Sequence, residues 1–323
     1  MSSPPSYPFH RRGIRYGNDH ALQTLDVFIP AALDPSADRT SKVWLIFIHG
    51  GAWCDPDQSS TELQPALQLL YPGALSAGPA SKQETTKALE HRVAGYASIN
   101  YGLSPRPGEY TANPSRNRAH PEHLQDLVKA MRFLRREYRV GAHDAWDFVA
   151  MGHSCGATMI FQLAMGVLPA EEGGESGFGV DVKKPVALVG LEGLYDLPLM
   201  IENHQEIPYY RAFVASAFGY DEGLWKRVSP VSSDAGMLWK DTKCVILGMS
   251  EQDELVEWGQ VEVMSRHVNK SGENERDQVF KLLKLTGRHD EIWSKGVGII
   301  KALKTTLVAI FTPLNGEIDA ADV

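Results

Sequence analysis

The chain has 323 residues, 43% hydrophobic and 22% charged, enough apolar material for one large core and too little polar tract for wholesale disorder. Its net charge of −8, from 32 basic against 40 acidic residues, sets it against a nucleic-acid partner, and the densest cationic run, Arg132, Arg135, Arg136 and Arg139, reads as one solvated helix face. Cys54, Cys155 and Cys244 are too few and too scattered for a disulfide framework or a zinc site, and no stretch reaches the ~18 apolar residues of a membrane span. With no apolar signal segment at the N-terminus, these features predict one cytoplasmic domain over residues 1–323, with no membrane contact, metal or cofactor and with a disordered acidic tail at 315–323. The expected partners are a small-molecule substrate and, at most, a second copy in a homodimer.

In chain order, residues 24–29 alternate like a strand with one open face, and 30–42 form a polar loop. Residues 43–48 are continuously apolar, as in a strand buried on both faces, and run into His49-Gly50-Gly51-Ala52-Trp53. Another strand is predicted at 93–100, after a Gly- and Pro-bearing connection at 71–86. A helix over 121–140 places Leu124, Leu127, Val128, Met131 and Leu134 near one face. Next come a short strand at 147–151, a tight turn and an apolar helix at 157–167, then a long connection at 169–184. Strands at 186–191, 243–248 and 278–285 and a final helix at 291–311 complete a strand–helix alternation. That alternation defines an α/β fold with a mostly parallel central sheet flanked by helices. Residues 197–239, rich in aromatics and broken by Pro198, Pro208 and Pro230, fit it badly and are predicted to form a small lid or cap over the carboxyl edge of the sheet.

The turn Gly152-His153-Ser154-Cys155-Gly156 has the G-x-S-x-G pattern of a nucleophile elbow. A serine on a strained strand-to-helix turn needs small neighbours two residues away on each side, and the helix that follows aims free N–H groups at the reacting centre. Ser154 is the expected nucleophile. Cys155 contributes its backbone N–H, since the elbow exposes only the middle residue. The loop from His49 to Trp53 follows an earlier strand, where Gly50 allows close backbone approach and the N–H groups of Gly51 and Ala52, with that of Cys155, form the expected oxyanion hole. His49 is a loop stabiliser.

A fold built on such an elbow presents its acid and then its histidine later in the chain. His289 follows the last strand and is the expected general base; His120, His123, His204 and His267 are expected to be structural. Asp253, after the strand at 243–248, is the expected acid that fixes the imidazole, with Asp196 the alternative; Glu254 and Asp290 read as solvated neighbours.

Together, His49 to Trp53, Gly152 to Ala157, Asp253 and His289 resemble the kynurenine formamidase branch of the α/β-hydrolases. That branch is similar to the hormone-sensitive-lipase type of esterase but carries HGG-x-W where many esterases have HGGG. The resemblance implies cleavage of N-formyl-L-kynurenine to L-kynurenine and formate, in tryptophan degradation, through a formyl-enzyme. Trp53 and Tyr101 are then expected to bind the substrate, with Tyr209 and Tyr210 as weaker candidates. The same machinery would serve a carboxylesterase acting on short acyl esters. A non-catalytic receptor on a hydrolase fold is the third reading, disfavoured by the presence of serine, acid and histidine together.

Overall fold

Strand order in the single eight-stranded sheet is β1-β2-β4-β3-β5-β6-β7-β8. Here β1 is Phe9–Arg15, β2 Thr24–Ile29, β3 Val43–Ile48, β4 Val93–Ile99, β5 Asp147–His153, β6 Ala187–Leu191, β7 Cys244–Ser250 and β8 Val279–Leu285. The structure is a computed structural model that describes residues 6–33, 39–73, 91–142, 145–168, 183–270 and 278–312. The predicted tail at 315–323 and most of the connections at 71–86 and 169–184 lie outside these residues.

Pairing is antiparallel for β1–β2 and β2–β4 and parallel from β4 through β8. A parallel sheet covered on both faces needs strands apolar on both sides, and all six residues of β3 are buried. Trp44, Ile46 and Ile48 face one core, with α2 (Glu122–Tyr138) and α3 (Cys155–Ala164); Val43, Leu45 and Phe47 face the other, with α1 (Gln64–Leu70) and a C-terminal helix.

Residues 197–239 fold as four short helices: α4 (Leu197–Asn203), α5 (Pro208–Phe218), α6 (Glu222–Val228) and α7 (Ala235–Trp239). Pro198 and Pro208 stand in the first turns of α4 and α5, and Pro230 opens a 3-10 turn. Prolines that look like interruptions are here helix starts, where the missing N–H costs nothing. Helix α8 (Gly259–Lys270) connects β7 to β8.

Three elements depart from expectation. Strand β1 was not foreseen, because an outer strand carrying Arg11, Arg12 and Arg15 shows no apolar pattern; β8, the opposite edge, likewise carries Lys281 and Lys284. Helix α1 was also unforeseen. The predicted helix at 291–311 is two, α9 (Glu291–Ser294) and α10 (Val297–Phe311), broken at Gly296. Gly296 has φ +72°, and a Cβ there would stand 2.6 Å from the Ala66 nitrogen, so the break lets α1 pack closely. Among the described residues no helix is long and apolar enough to cross a membrane.

Candidate active site

The carboxyl ends of the parallel strands bring the expected residues to one rim. Ser154 directly follows β5 and caps α3, with φ 53° and ψ −124°, a left-handed conformation costly for a side-chain-bearing residue. Its N–H donates to the Leu191 carbonyl at 2.8 Å. A Cβ on Gly152 would lie 2.3 Å from the Gly156 carbonyl carbon, and one on Gly156 would lie 2.3 Å from the Ile48 oxygen. Both glycines are therefore sterically required.

Beyond β3 the chain turns left-handed at three successive residues, Gly51, Ala52 and Trp53, with φ of 95°, 48° and 59°. The turn closes when the N–H groups of Cys54 and Asp55 donate to the Gly51 carbonyl at 2.9 and 2.8 Å. Among the described residues nothing accepts from the N–H groups of Gly51, Ala52 or Cys155, the expected oxyanion donors. The loop lies close to Ser154: a Cβ on Gly50 would stand 3.2 Å from the Ser154 Cβ. His49 Nδ1 bonds the Gly50 carbonyl at 2.9 Å, and burial lowers its pKa to about 4, so the ring is neutral. Burial pushes the Cys155 thiol up to about 12, leaving it un-ionised at neutral pH.

Trp53 and Tyr101 do not offer open faces to a substrate, which corrects the expectation for both. Each is 0% exposed. The Trp53 ring is enclosed by Phe213 at 6.3 Å and Phe218 at 5.0 Å, both on α5, while the backbone N–H of Trp53 donates to the Cys155 Sγ at 3.3 Å. Tyr101 stacks on His49 at 4.4 Å and donates to the carbonyls of Gly50 and His49 at 3.0 and 3.2 Å. An aromatic ring beside a glycine loop fills the space the glycines leave empty. Tyr210 is also buried, donating to the Leu255 carbonyl at 2.7 Å. Tyr209, by contrast, is half-exposed, with its hydroxyl 4.0 Å from the Cys54 Sγ.

His289 lies in the loop after β8, with Nδ1 2.8 Å from the Asp253 Oδ2. The other Asp253 oxygen accepts the N–H groups of Leu255 and Val256 at 2.8 and 2.9 Å. Glu254, read as a solvated neighbour, instead accepts the His289 N–H at 3.1 Å and pairs with Arg288, fixing the loop. Burial opposes charge on the His289 ring, but the carboxyls of Asp253 and Glu192 outweigh it and raise its pKa. Asp196 is occupied elsewhere: it caps α4, accepting the Leu199 N–H at 3.1 Å. The four histidines expected to be structural have partners: Ser104 for His123, Glu257 for His204, Ser233 for His267 and the Phe218 ring for His120.

Sequence reasoning missed a sealed layer of ionisable groups beside these residues. Glu192, the first residue after β6, is 0% exposed and left-handed at φ 51°. One of its oxygens lies 3.3 Å from His289 Nδ1 and 3.5 Å from His153 Nε2. The His153 ring packs against that of His289 at 4.6 Å, and its Nδ1 is 3.8 Å from Glu62. Burial pushes Glu62 up to about 8, raises Glu192 and lowers His153 to about 3. His153, Glu192 and His289 have ligating atoms within 4.8 Å of one another. A cation there would shed all its water and compete for the nitrogen that Asp253 engages, so the donor set suits proton sharing rather than metal binding. The available signal was positional, a carboxylate immediately after a buried strand at the edge that also bears Ser154, Asp253 and His289.

A serine on a strained strand-to-helix turn, a Gly-Gly loop beside it and a histidine after the last strand of a mostly parallel sheet define the class: the α/β-hydrolases. Solved structures agree on the fold. Esterase B from Lactobacillus rhamnosis is 14% identical with a TM-score of 0.63, covering 94% of this chain and 87% of that one. A carbohydrate esterase from gut microbiota is 15% identical with a TM-score of 0.58, covering 95% and 97%. No family model matches the sequence. Among curated proteins, a kynurenine formamidase-like hydrolase of Fusarium equiseti is 34% identical over 88% of this chain and 89% of its own length. Kynurenine formamidases of Aspergillus versicolor and Meyerozyma guilliermondii are 31% and 32% identical, over 81% and 78% of this chain and 87% and 78% of their own lengths. The chain belongs to the kynurenine formamidase family and is a hydrolase.

Proposed function

We propose that this hydrolase cleaves N-formyl-L-kynurenine to L-kynurenine and formate, with Ser154 as nucleophile, His289 as general base and Asp253 as the acid that orients it. One observation carries the reading: the 2.8 Å bond between His289 and Asp253 at the rim bearing Ser154, in a chain whose relatives are named kynurenine formamidases. His289 takes the Ser154 proton as the oxygen attacks the formyl carbon, and the oxyanion falls to the N–H groups of Gly51, Ala52 and Cys155. The imidazolium then protonates the departing aryl amine. Water, deprotonated by the same ring, releases formate and restores Ser154. Close approach of Gly50 to Ser154 leaves little room on the acyl side, which suits a formyl group. Half-exposed on α5, with its hydroxyl 4.0 Å from the Cys54 Sγ, Tyr209 is our candidate to meet the kynurenine ring. Three free cysteines fit a reducing cytoplasm.

The esterase neighbours favour a second reading, a carboxylesterase for short acyl esters. Comparing kcat/KM for N-formyl-L-kynurenine and p-nitrophenyl acetate separates the two: the formamide should be preferred, and a large preference for the ester would overturn the first. Labelling of wild type, but not Ser154→Ala, by a fluorophosphonate is expected and excludes a receptor.

A further inference from the structure

We propose that Glu192 is a neutral partner of the catalytic acid, donating its carboxyl proton to Asp253 and so positioning His289 beside a single negative charge. This rests on the assignment of Ser154, Asp253 and His289 above, but not on the identity of the substrate.

Two carboxyls within reach of one imidazole in a layer closed to water do not both ionise cheaply, and one keeps its proton. Hydrogen bonding decides which. Asp253 faces the His289 ring N–H and accepts two backbone N–H groups, all of which favour its ionised form. Glu192 has less: one oxygen lies 3.3 Å from the same ring nitrogen, farther than the 2.8 Å of Asp253, and among the described residues no backbone N–H donates to it. Neither of its oxygens has a hydrogen-bond partner as a carboxylate, and the nearer one shares His289 Nδ1 with the Asp253 Oδ2. As a carboxylic acid it has an O–H to give and an acceptor to receive it, so the orphaned group becomes a satisfied one.

The groups facing Glu192 are Asp253 on the loop after β7, His289 on the loop after β8 and His153 at the end of β5, with Glu62 beyond His153. No lysine or arginine among the described residues ion-pairs with it. The left-handed backbone of Glu192 is an independent sign of constraint, since strain of this kind persists where the surroundings impose it. Proton placement also matters to the chemistry. With the proton on Glu192 the imidazole is neutral and can accept from Ser154; the same proton on His289 would block the base.

The test compares the pH dependence of kcat/KM in wild type, Glu192→Gln and Glu192→Leu, on whichever formamide or ester wild type turns over. The amide of glutamine mimics a neutral, donating acid. The acid limb, where His289 protonates, should therefore lie within about 0.3 pH units of wild type in Glu192→Gln, with kcat reduced about threefold. Glu192→Leu should lower kcat by about tenfold or more with KM nearly constant, because it removes orientation rather than binding. A downward move of the acid limb by a full unit or more in Glu192→Gln would mean that Glu192 is ionised and would overturn the proposal. So would wild-type kcat in Glu192→Leu. If Glu192→Leu does not fold, infrared difference spectra of wild type and Glu192→Gln decide: a protonated-carboxyl band at neutral pH must disappear on substitution. Failure of the underlying assignment looks different, because Ser154→Ala or His289→Ala would then remain active.

Discussion

The two surroundings of Ser154 are built on opposite terms. On one side Glu62, His153, Glu192 and His289 form a layer closed to solvent, where each group's charge depends on its neighbours. On the other, helices α4 to α7 are held by separate, uncoupled bonds: aspartate caps at Asp196 and Asp234, the Tyr210 bond to Leu255 and a 2.6 Å bond from Ser216 to the Pro105 carbonyl. That side leaves Ile207 and Tyr209 half-exposed. Under the proposed chemistry, reactivity belongs to the closed layer and leaving-group recognition to the helices. Changes in the first should alter kcat and its pH dependence, and changes in the second KM or stability.

The largest effect expected is loss of about 10⁶ in kcat for Ser154→Ala, measured by formylkynurenine hydrolysis. Asp253→Asn should cost about 10², less than the ~10⁴ of an acid without a substitute, because Glu192 can ionise and accept the imidazole N–H. Adding Glu192→Gln should bring the loss to about 10⁴. The pH profile sharpens this. His289 must be neutral to act and its pKa is raised, so kcat/KM falls as pH drops through that raised value; removing both carboxyls, in Asp253→Asn with Glu192→Gln, should move the fall to lower pH. Tyr101→Phe removes two bonds to the oxyanion loop and should lower kcat about tenfold, tracked by steady-state kinetics. On the open side, Tyr209→Ala should raise KM about threefold to tenfold with kcat nearly constant; a fall in kcat alone would break the division. Smallest of all, Asp196→Ala should cost about 1 kcal/mol in denaturant unfolding while kcat is retained, since it caps α4.

Much of this design is legible in the residues themselves. The six apolar residues of β3, the glycines around Ser154 and the position of His289 after the last strand are local patterns tied to local geometry. Trp53 and Tyr101 were expected to meet a substrate, but α5 encloses the first and the second turns inward onto His49. Nothing in their own neighbourhoods announces such partners. Glu192 was passed over because a carboxylate after a strand reads as an ordinary turn residue, and its meaning appears only when the loops after β7 and β8 arrive beside it. The break at Gly296 was hidden for the same reason, its cause being the distant helix α1.

The cationic outer strands bear on how copies of this protein meet. A second molecule adding its own β1 or β8 to either end of the sheet would set arginines against arginines or lysines against lysines. Like charge along exposed backbone resists that kind of growth, at high concentration as well as low. Self-association, where it occurs, is therefore directed to helical surfaces, and fibre-like stacking through strand borders is disfavoured.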